Sequence, residues 1–191
     1  NVNTGTLTNT PTWKSGANCK FGNCLDFASA SSQYVTIPDS ASIKQSASFS
    51  AAAWFKSSTA NGVILGKGVG VATANYFLYL SSGNLVGAVR LDAYDSVTSG
   101  ATYDDGNWHF GVVVWDDSVV KTLYIYADGA LSSSGAFTGT PTTTTDPLDI
   151  GKTTAGLGYF NGQIDDVRVY NRVLSASEIT ELYNSSPANL E

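Results

Sequence analysis

Acid–base chemistry on sugars or esters needs particular side chains in particular places, and this chain supplies few of them. Its glutamates are Glu178, Glu181 and Glu191, all near the C-terminus. Glycosidic hydrolysis needs two carboxyl groups facing each other across the scissile bond. Here such a pair would have to be two aspartates, and no Asp-x-Asp alternation falls within a strand-like run. Asp104-Asp105 and Asp116-Asp117 are neighbours in sequence, so on a strand they would point to opposite faces. His109 is the single histidine. It is the one general base of its type, but no Gly-x-Ser-x-Gly elbow accompanies it, and a triad needs a positioned nucleophile. A lyase could use Tyr, Arg and His together, yet no His lies near Arg90 in sequence. No catalytic residue is expected, and the chain reads as a non-enzyme.

Binding chemistry is better supplied. Tyr94, Tyr103 and Tyr159 sit among polar neighbours, where a ring can stack on the C–H face of a sugar. Arg90 and Asp92 fall on one face of the run 85–92 and could bond hydroxyls from it. The expected ligand-binding set is therefore Tyr94, Arg90, Asp92, Tyr103 and Tyr159. For a metal, calcium prefers hard oxygens. Asp165 lies on the same alternation as Val167 and Val169, where a carboxylate must be paired or ligated. Asp26, opposite in direction to Leu25 and Phe27, is the expected second ligand, and Asp92 with Asp95 forms another rim candidate. The bland alternative for each is a cap or a salt bridge, with Asp166 and Arg168 the obvious same-face pair. Cys19 and Cys24 enclose a Gly-Asn turn, so a small disulfide loop is feasible, and a pair of reduced thiols is the alternative. A zinc site would need two more ligands.

The elements that must position these residues are short strands. Tyr34–Ile37 is β-branched and stops at Pro38. Phe49–Phe55 places Phe49, Ala51, Ala53 and Phe55 on one face; its alanines favour helix, but the flanking serines and aromatics point to a strand packed closely on another sheet. Val63–Leu65 follows an Asn61-Gly62 turn. Tyr76–Leu80 and Leu85–Leu91 form a hairpin around Ser82-Gly83-Asn84. Trp108, Phe110, Val112 and Val114 share a face, Thr122–Tyr126 pairs with that strand, and Leu148–Ile150 is one more. Residues 1–18 read as turn-rich, with Trp13 the apolar residue of note. Residues 132–147 and 156–162 read as loops, the former with an edge strand. Trp54 and Trp108 are expected in the core. The single helix is near 176–183: Ser175-Ala176-Ser177-Glu178 is a capping box, and Leu174 and Ile179 stand at the positions of a hydrophobic staple.

Composition bounds the class. With 42% hydrophobic and 14% charged residues, the chain can bury a core and is not disordered. A net charge of -6 without a basic stripe argues against nucleic acid. No window has the apolar length of a membrane-spanning helix, so no membrane insertion is expected. The chain contains no Met, as expected of a processed or excised piece, and Leu190-Glu191 reads as a cloning scar. A single domain over 1–191 is expected, without repeats or linker.

Four segments, in order and spacing, carry a resemblance. They are Cys24-Leu25-Asp26-Phe27 with Tyr34-Val35; Phe49 to Trp54; Gly106-Asn107-Trp108-His109 with Tyr124 to Gly129; and Ile164 to Tyr183. Together they resemble the laminin-G-like domains of the concanavalin A-like lectin type. The resemblance implies an all-β jelly-roll sandwich of two antiparallel sheets, one of them concave, with one short C-terminal helix. It implies a structural role for Trp108-His109. It also implies a non-catalytic, carbohydrate-binding module of a larger extracellular or cell-surface protein, whose partner is a polysaccharide or glycan, with calcium as the possible cofactor. The runner-up is a protein-binding or adhesive module; a polysaccharide-degrading enzyme ranks third. Similar domains often begin with a further strand ahead of the Gly5–Asn9 region. This chain starts at Asn1 without it: either the piece is trimmed or a sheet edge is unfilled and invites pairing with another chain, and any calcium site completed by that strand is put in doubt.

Overall fold

The structure is a computed structural model that describes residues 3–70, 73–152 and 157–185. Asn1, Glu191 and the Leu190-Glu191 tail lie outside the described residues. In chain order the strands are β1 (Thr6–Thr8), β2 (Thr12–Ser15), β3 (Asn23–Phe27), β4 (Tyr34–Ile37), β5 (Phe49–Lys56), β6 (Gly62–Lys67) and β7 (Tyr76–Ser81). They continue as β8 (Asn84–Arg90), β9 (Tyr94–Thr102), β10 (Trp108–Asp116), β11 (Thr122–Ala127), β12 (Ala130–Ala136), β13 (Leu148–Ile150) and β14 (Gly162–Tyr170), and α1 (Ala176–Asn184) closes the chain. The first sheet runs β1-β4-β13-β6-β7-β8-β9 and the second β12-β11-β10-β5-β14-β3-β2. The pairings are antiparallel, so the two sheets form the expected jelly-roll sandwich.

Alternation along the strands builds the core. Phe49, Ala51, Ala53 and Phe55 of β5 face inward with Val113 and Trp115 of β10, against Tyr76, Leu78, Leu80 and Leu85 of the first sheet. The small residues on β5 fit a close approach of the two layers. At Gly87 the approach is closest to forbidding a side chain: a Cβ there would lie 2.8 Å from Val113.

The other face of β5 and β10 builds a second core, which α1 covers. Ala52, Trp54, Phe110, Val112 and Val114 pack with Leu174 and Ile179. The capping box forms as expected: Glu178 N–H donates to Ser175 Oγ, and Ser175 N–H donates to Glu178 Oε2. Leu174 and Ile179 are both buried, which completes the staple. Trp54 lies at the centre of this layer, and Trp108 only at its margin.

Three strands were not foreseen. β1 and β2 fall in the stretch read as turns, and β9 in the stretch read as loop. All three are edge strands with exposed Thr, Ser or Gly on one face, so their sequences carry little hydrophobic alternation.

The face assigned to Asp165 is corrected. Ile164 pairs with Phe55 and Asp165 with Trp54, but the register then slips, and Arg168 pairs with Ala52 and Val169 with Ala51. Asp166 takes φ 47° at this bulge. Asp165 therefore faces Trp54 on the helix side, while Val167 and Val169 turn to the main core.

Candidate functional site

The two sheets differ in what their outer faces offer. The helix and the disulfide loop occupy that of the second sheet. Cys19 and Cys24 are bonded, as expected of an even pair closing a short turn. The loop they close presses Phe21 edge-on to Trp54 at 6.1 Å and sets Lys20 Nζ 3.7 Å from the ring centroid, while Tyr183 stacks on the same indole at 5.4 Å. Asp165 belongs to this arrangement. Its Oδ2 accepts from Phe21 N–H at 2.8 Å. Burial pushes the Asp165 carboxyl above the usual range, and the loop amides of Phe21 and Lys20 offset that only partly.

Asp26 lies on β3, beside Gln163, and pairs with Lys14 at 3.6 Å. The oxygens of Asp165 and Asp26 thus serve the loop amides and an ammonium, and the pair does not fit a calcium site. Among the described residues, no group of three or more His, Cys, Asp or Glu is arranged to hold a metal.

At one end of the sandwich, three loops enclose a groove. The turn after β8 brings Asp92 and Asp95, the end of β12 brings Phe137 and Thr138, and the β10–β11 turn brings Val119, Val120 and Lys121. Two depressions of 420 and 410 Å³ meet along Ala136, Phe137 and Thr138. Phe137 is half-buried, so one part of its ring is rooted and another presented. Burial raises the Asp95 carboxyl above its ordinary range, the Asp92 charge adds to this, and Arg90 opposes it. Two carboxylates and an aromatic edge therefore share one concavity, with a guanidinium near enough to act on one of them.

A buried polar network holds these loops. Thr142 N–H donates to Arg90 O and Thr142 Oγ1 to Leu91 O, both at 2.8 Å. Asn75 exchanges hydrogen bonds with the backbone of Gln45 and donates to Thr142 O. Lys67, fully buried, donates to Asp39 at 2.7 Å and to the carbonyls of Thr144 and Asp146. Lys44 first and Lys67 next hold the Asp39 carboxyl below its usual range. A buried ammonium is tolerated only when its donors are met, and Lys67 meets them by joining the loop after β4 to the loop before β13. Phe137 N–H donates to Lys121 O at 3.0 Å, which fixes the aromatic wall to the β10–β11 turn.

Of the expected ligand residues, the groove gathers Asp92, and Arg90 lies near enough to act on the Asp95 charge. Tyr94 opens β9 and lies on the outer face of the first sheet, packed against Phe77, Tyr79, Val86 and Ala88. Its hydroxyl is buried, and burial first and the Tyr79 hydroxyl next raise its pKa. Tyr103 follows the far end of β9, about 30 Å along the strand at ~3.3 Å per residue, and packs edge-on against His109 at 5.1 Å. Tyr159 lies against Tyr34 at 6.3 Å, across the first sheet. The three tyrosines therefore form no common platform. Phe137 was missed; the available signal was a single aromatic within the Ser/Thr/Gly/Pro run 132–147.

His109 sits at the opposite end, between Asp128 Oδ2 at 2.8 Å and Asp105 Oδ1 at 3.0 Å. Asp128 also accepts from Phe110 N–H and so ties the β11–β12 turn to β10. Both ring nitrogens of His109 are engaged, and no nucleophile is among their partners.

Comparison with known proteins agrees with the architecture. Residues 29–180 match the family described as the Concanavalin A-like lectin/glucanases superfamily, and the chain belongs to it. No curated protein sequence matches the chain. The binding domain of Paraclostridial Mosquitocidal Protein 1 superposes with a TM-score of 0.75 at 14% identity, over 95% of this chain and 47% of that one; this chain thus spans about half its length. The botulinum neurotoxin serotype G binding domain gives a TM-score of 0.73 at 13% identity, over 95% and 46%. Domain 4 of an extracellular arabinanase from Geobacillus stearothermophilus, solved with arabinotriose, gives 0.75 at 19% identity, over 94% and 88%. At these identities the likeness shows the fold.

Proposed function

We propose that this member of the superfamily is a non-catalytic carbohydrate-binding module of a larger extracellular or cell-surface protein, and that the glycan docks in the groove around Phe137. The observation that carries this reading is the meeting of Phe137 with Asp92 and Asp95 in one concavity, with Arg90 close enough to act on the Asp95 charge. An aromatic edge stacks on the C–H face of a pyranose or furanose. Carboxylates accept from its hydroxyls, and a guanidinium donates to them. The network under the loops supplies preorganisation, which lowers the entropy cost of binding. The disulfide supports an oxidising compartment.

A protein partner is the second reading, favoured by Val119 and Val120, which are 101% and 65% exposed on the groove's lip. Melting the protein against a panel of soluble polysaccharides, with calcium and with EDTA, separates the readings, because a ligand of the folded state raises Tm. One polysaccharide class is expected to raise Tm. Phe137→Ala should weaken that binding by about tenfold or more, near 1.4 kcal/mol, and Asp92→Asn should weaken it too. Turnover of the polysaccharide, or binding unchanged in Phe137→Ala, would sink this assignment. A shift with calcium alone would support a metal site and leave the glycan reading without support.

A further inference from the structure

Where β5 ends and β14 begins, three polar side chains stand in a row. Lys56 pairs in register with Gln163, and Gln163 with Asp26. Register partners on antiparallel strands point the same way, so all three lie on the outer face of the second sheet, the face of Trp54. Trp108, half-buried, extends the row on β10 beside Lys56. Two residues back along β5, Trp54 and its partner Asp165 are covered by the disulfide loop. At Lys56 a concavity of 210 Å³ opens instead, lined also by Ser58, Asn161 and Gly162. Its walls are fixed. Ser57 Oγ donates to Asn161 O at 2.7 Å, and Gly106 N–H donates to Ser57 O at 2.8 Å. Gly162 lets β14 close on β5, because a Cβ there would collide with the Lys56 carbonyl. The lining is not used up by the fold. Gln163 Oε1 is buried and has no hydrogen-bond partner. Among the described residues, none bonds or pairs with the Lys56 ammonium. Asp26 reaches Lys14 at 3.6 Å through one oxygen. A buried acceptor left unpaired weakens the fold, which a partner from outside would offset.

From this geometry we infer that the row Lys56–Gln163–Asp26 is a binding site for one neutral sugar residue, held through its hydroxyls. The order of the groups selects the ligand. Lys56 Nζ only donates, while Gln163 Oε1 and the Asp26 carboxylate only accept. Neighbouring strands lie about 4.8 Å apart, so a group seated between Lys56 and Gln163 must accept from one and donate to the other. A hydroxyl does both. A carboxylate would meet the oxygens of Gln163 and Asp26 with no proton to give, and an ammonium would meet Lys56. A ring with adjacent hydroxyls satisfies the row from Lys56 to Asp26. The site lies at the other end of the sandwich from the groove around Phe137, about 30 Å away along the nine residues of β10 at ~3.3 Å per residue. It requires no glycan in that groove and stands whether or not one binds there.

The test titrates the isotope-labelled protein with glucose, galactose, mannose and arabinose, and with glucuronate and protonated glucosamine as charged probes, and follows amide resonances. At least one neutral sugar should shift the Gln163 side-chain amide and the Gly106 and Gly162 backbone amides saturably. The charged probes should bind there about tenfold more weakly. Gln163→Leu and Lys56→Met should each weaken the neutral sugar by about tenfold or more. Gln163→Leu should do so without lowering Tm, since it removes an unpaired acceptor; a role in the fold alone would lower Tm. Phe137→Ala should leave the shifts as they are. Silence with all four neutral sugars would mean that solvent alone serves Gln163 and would overturn the proposal. So would tighter binding of a charged probe, binding unchanged in both variants, or shifts lost in Phe137→Ala.

Discussion

His109 shows how little a lone histidine says about chemistry until its neighbours are known. Burial by itself would lower its pKa, but hydrogen bonds donated to the carboxylates of Asp128 and Asp105 outweigh that and raise it above the ordinary imidazole value. Asp105, bonded by His109 and Asn107, is held well below the usual carboxylate range. The consequences for stability have opposite signs. The raised histidine contributes stability fully below its unfolded pKa of about 6.5, and loses it as pH rises through its folded value. The depressed aspartate contributes above about pH 4 and loses it as pH falls through its folded value. His109→Gln should therefore destabilise most between about pH 4 and 6.5, with the gap to wild type closing toward pH 9. Melting curves across pH check this; a gap constant with pH would show that the charge is not involved. The sequence identified His109 as structural through a resemblance. It could not show which carboxylates flank it, since Asp128 comes from a different turn.

Among the elements, β14 and the disulfide loop depend on each other. Asp165 reaches the helix side because of the bulge, and there its carboxylate caps the loop that holds Phe21 against Trp54. Strict alternation, applied to the sequence, put Asp165 on the wrong face, and the metal assignment followed from that error. A bulge inserts one residue without any change in composition, so pattern reading misses it unless a glycine marks the place. The loop itself is short. Replacing Cys19 and Cys24 by serine removes the closure of a six-residue ring and should cost about 2 kcal/mol by the chain-entropy relation. Urea unfolding measures the loss, and Trp54 fluorescence should change as Phe21 and Lys20 leave the indole. A loss below about 0.5 kcal/mol would mean that Asp165, rather than the disulfide, holds the loop. Helix α1, by contrast, was legible in full. Its cap and staple are local signals between residues three to five apart, and the tertiary structure had only to seat them.

For the molecule as a whole, the division between covered and open surface decides where a ligand can approach. The helix closes one outer face, and an aromatic layer of Phe77, Tyr79 and Tyr94 fills the middle of the other. Open surface is left at the ends of the sandwich. At one end, His109 and Tyr103 are committed to each other and to aspartates. The other end carries the groove. Tyr103→Ala and Tyr159→Ala should thus leave glycan affinity within about twofold of wild type, near 0.4 kcal/mol. Isothermal titration with the polysaccharide found in the panel checks this. A loss in Tyr159→Ala with none in Phe137→Ala would move the site to the first sheet beside Tyr34.

By itself the sequence determined the all-β class, the strands with strong alternation and the capped helix, and it made a bond between two nearby cysteines feasible. Each of these depends on residues a few positions apart, where period and propensity act directly. It also brought Arg90 and Asp92 into view, since they share one strand face. The tertiary structure alone decided which residues share a concavity. Asp92 meets Phe137 because β9 and β12 fold over one another at the sandwich end, although 44 positions separate them in the chain. Tyr94 and Tyr103 are separated because the residues between them form a strand rather than a loop. Edge strands bury one side at most, so their alternation is faint. The position of a site built on their ends is fixed by sheet order, which no local pattern encodes.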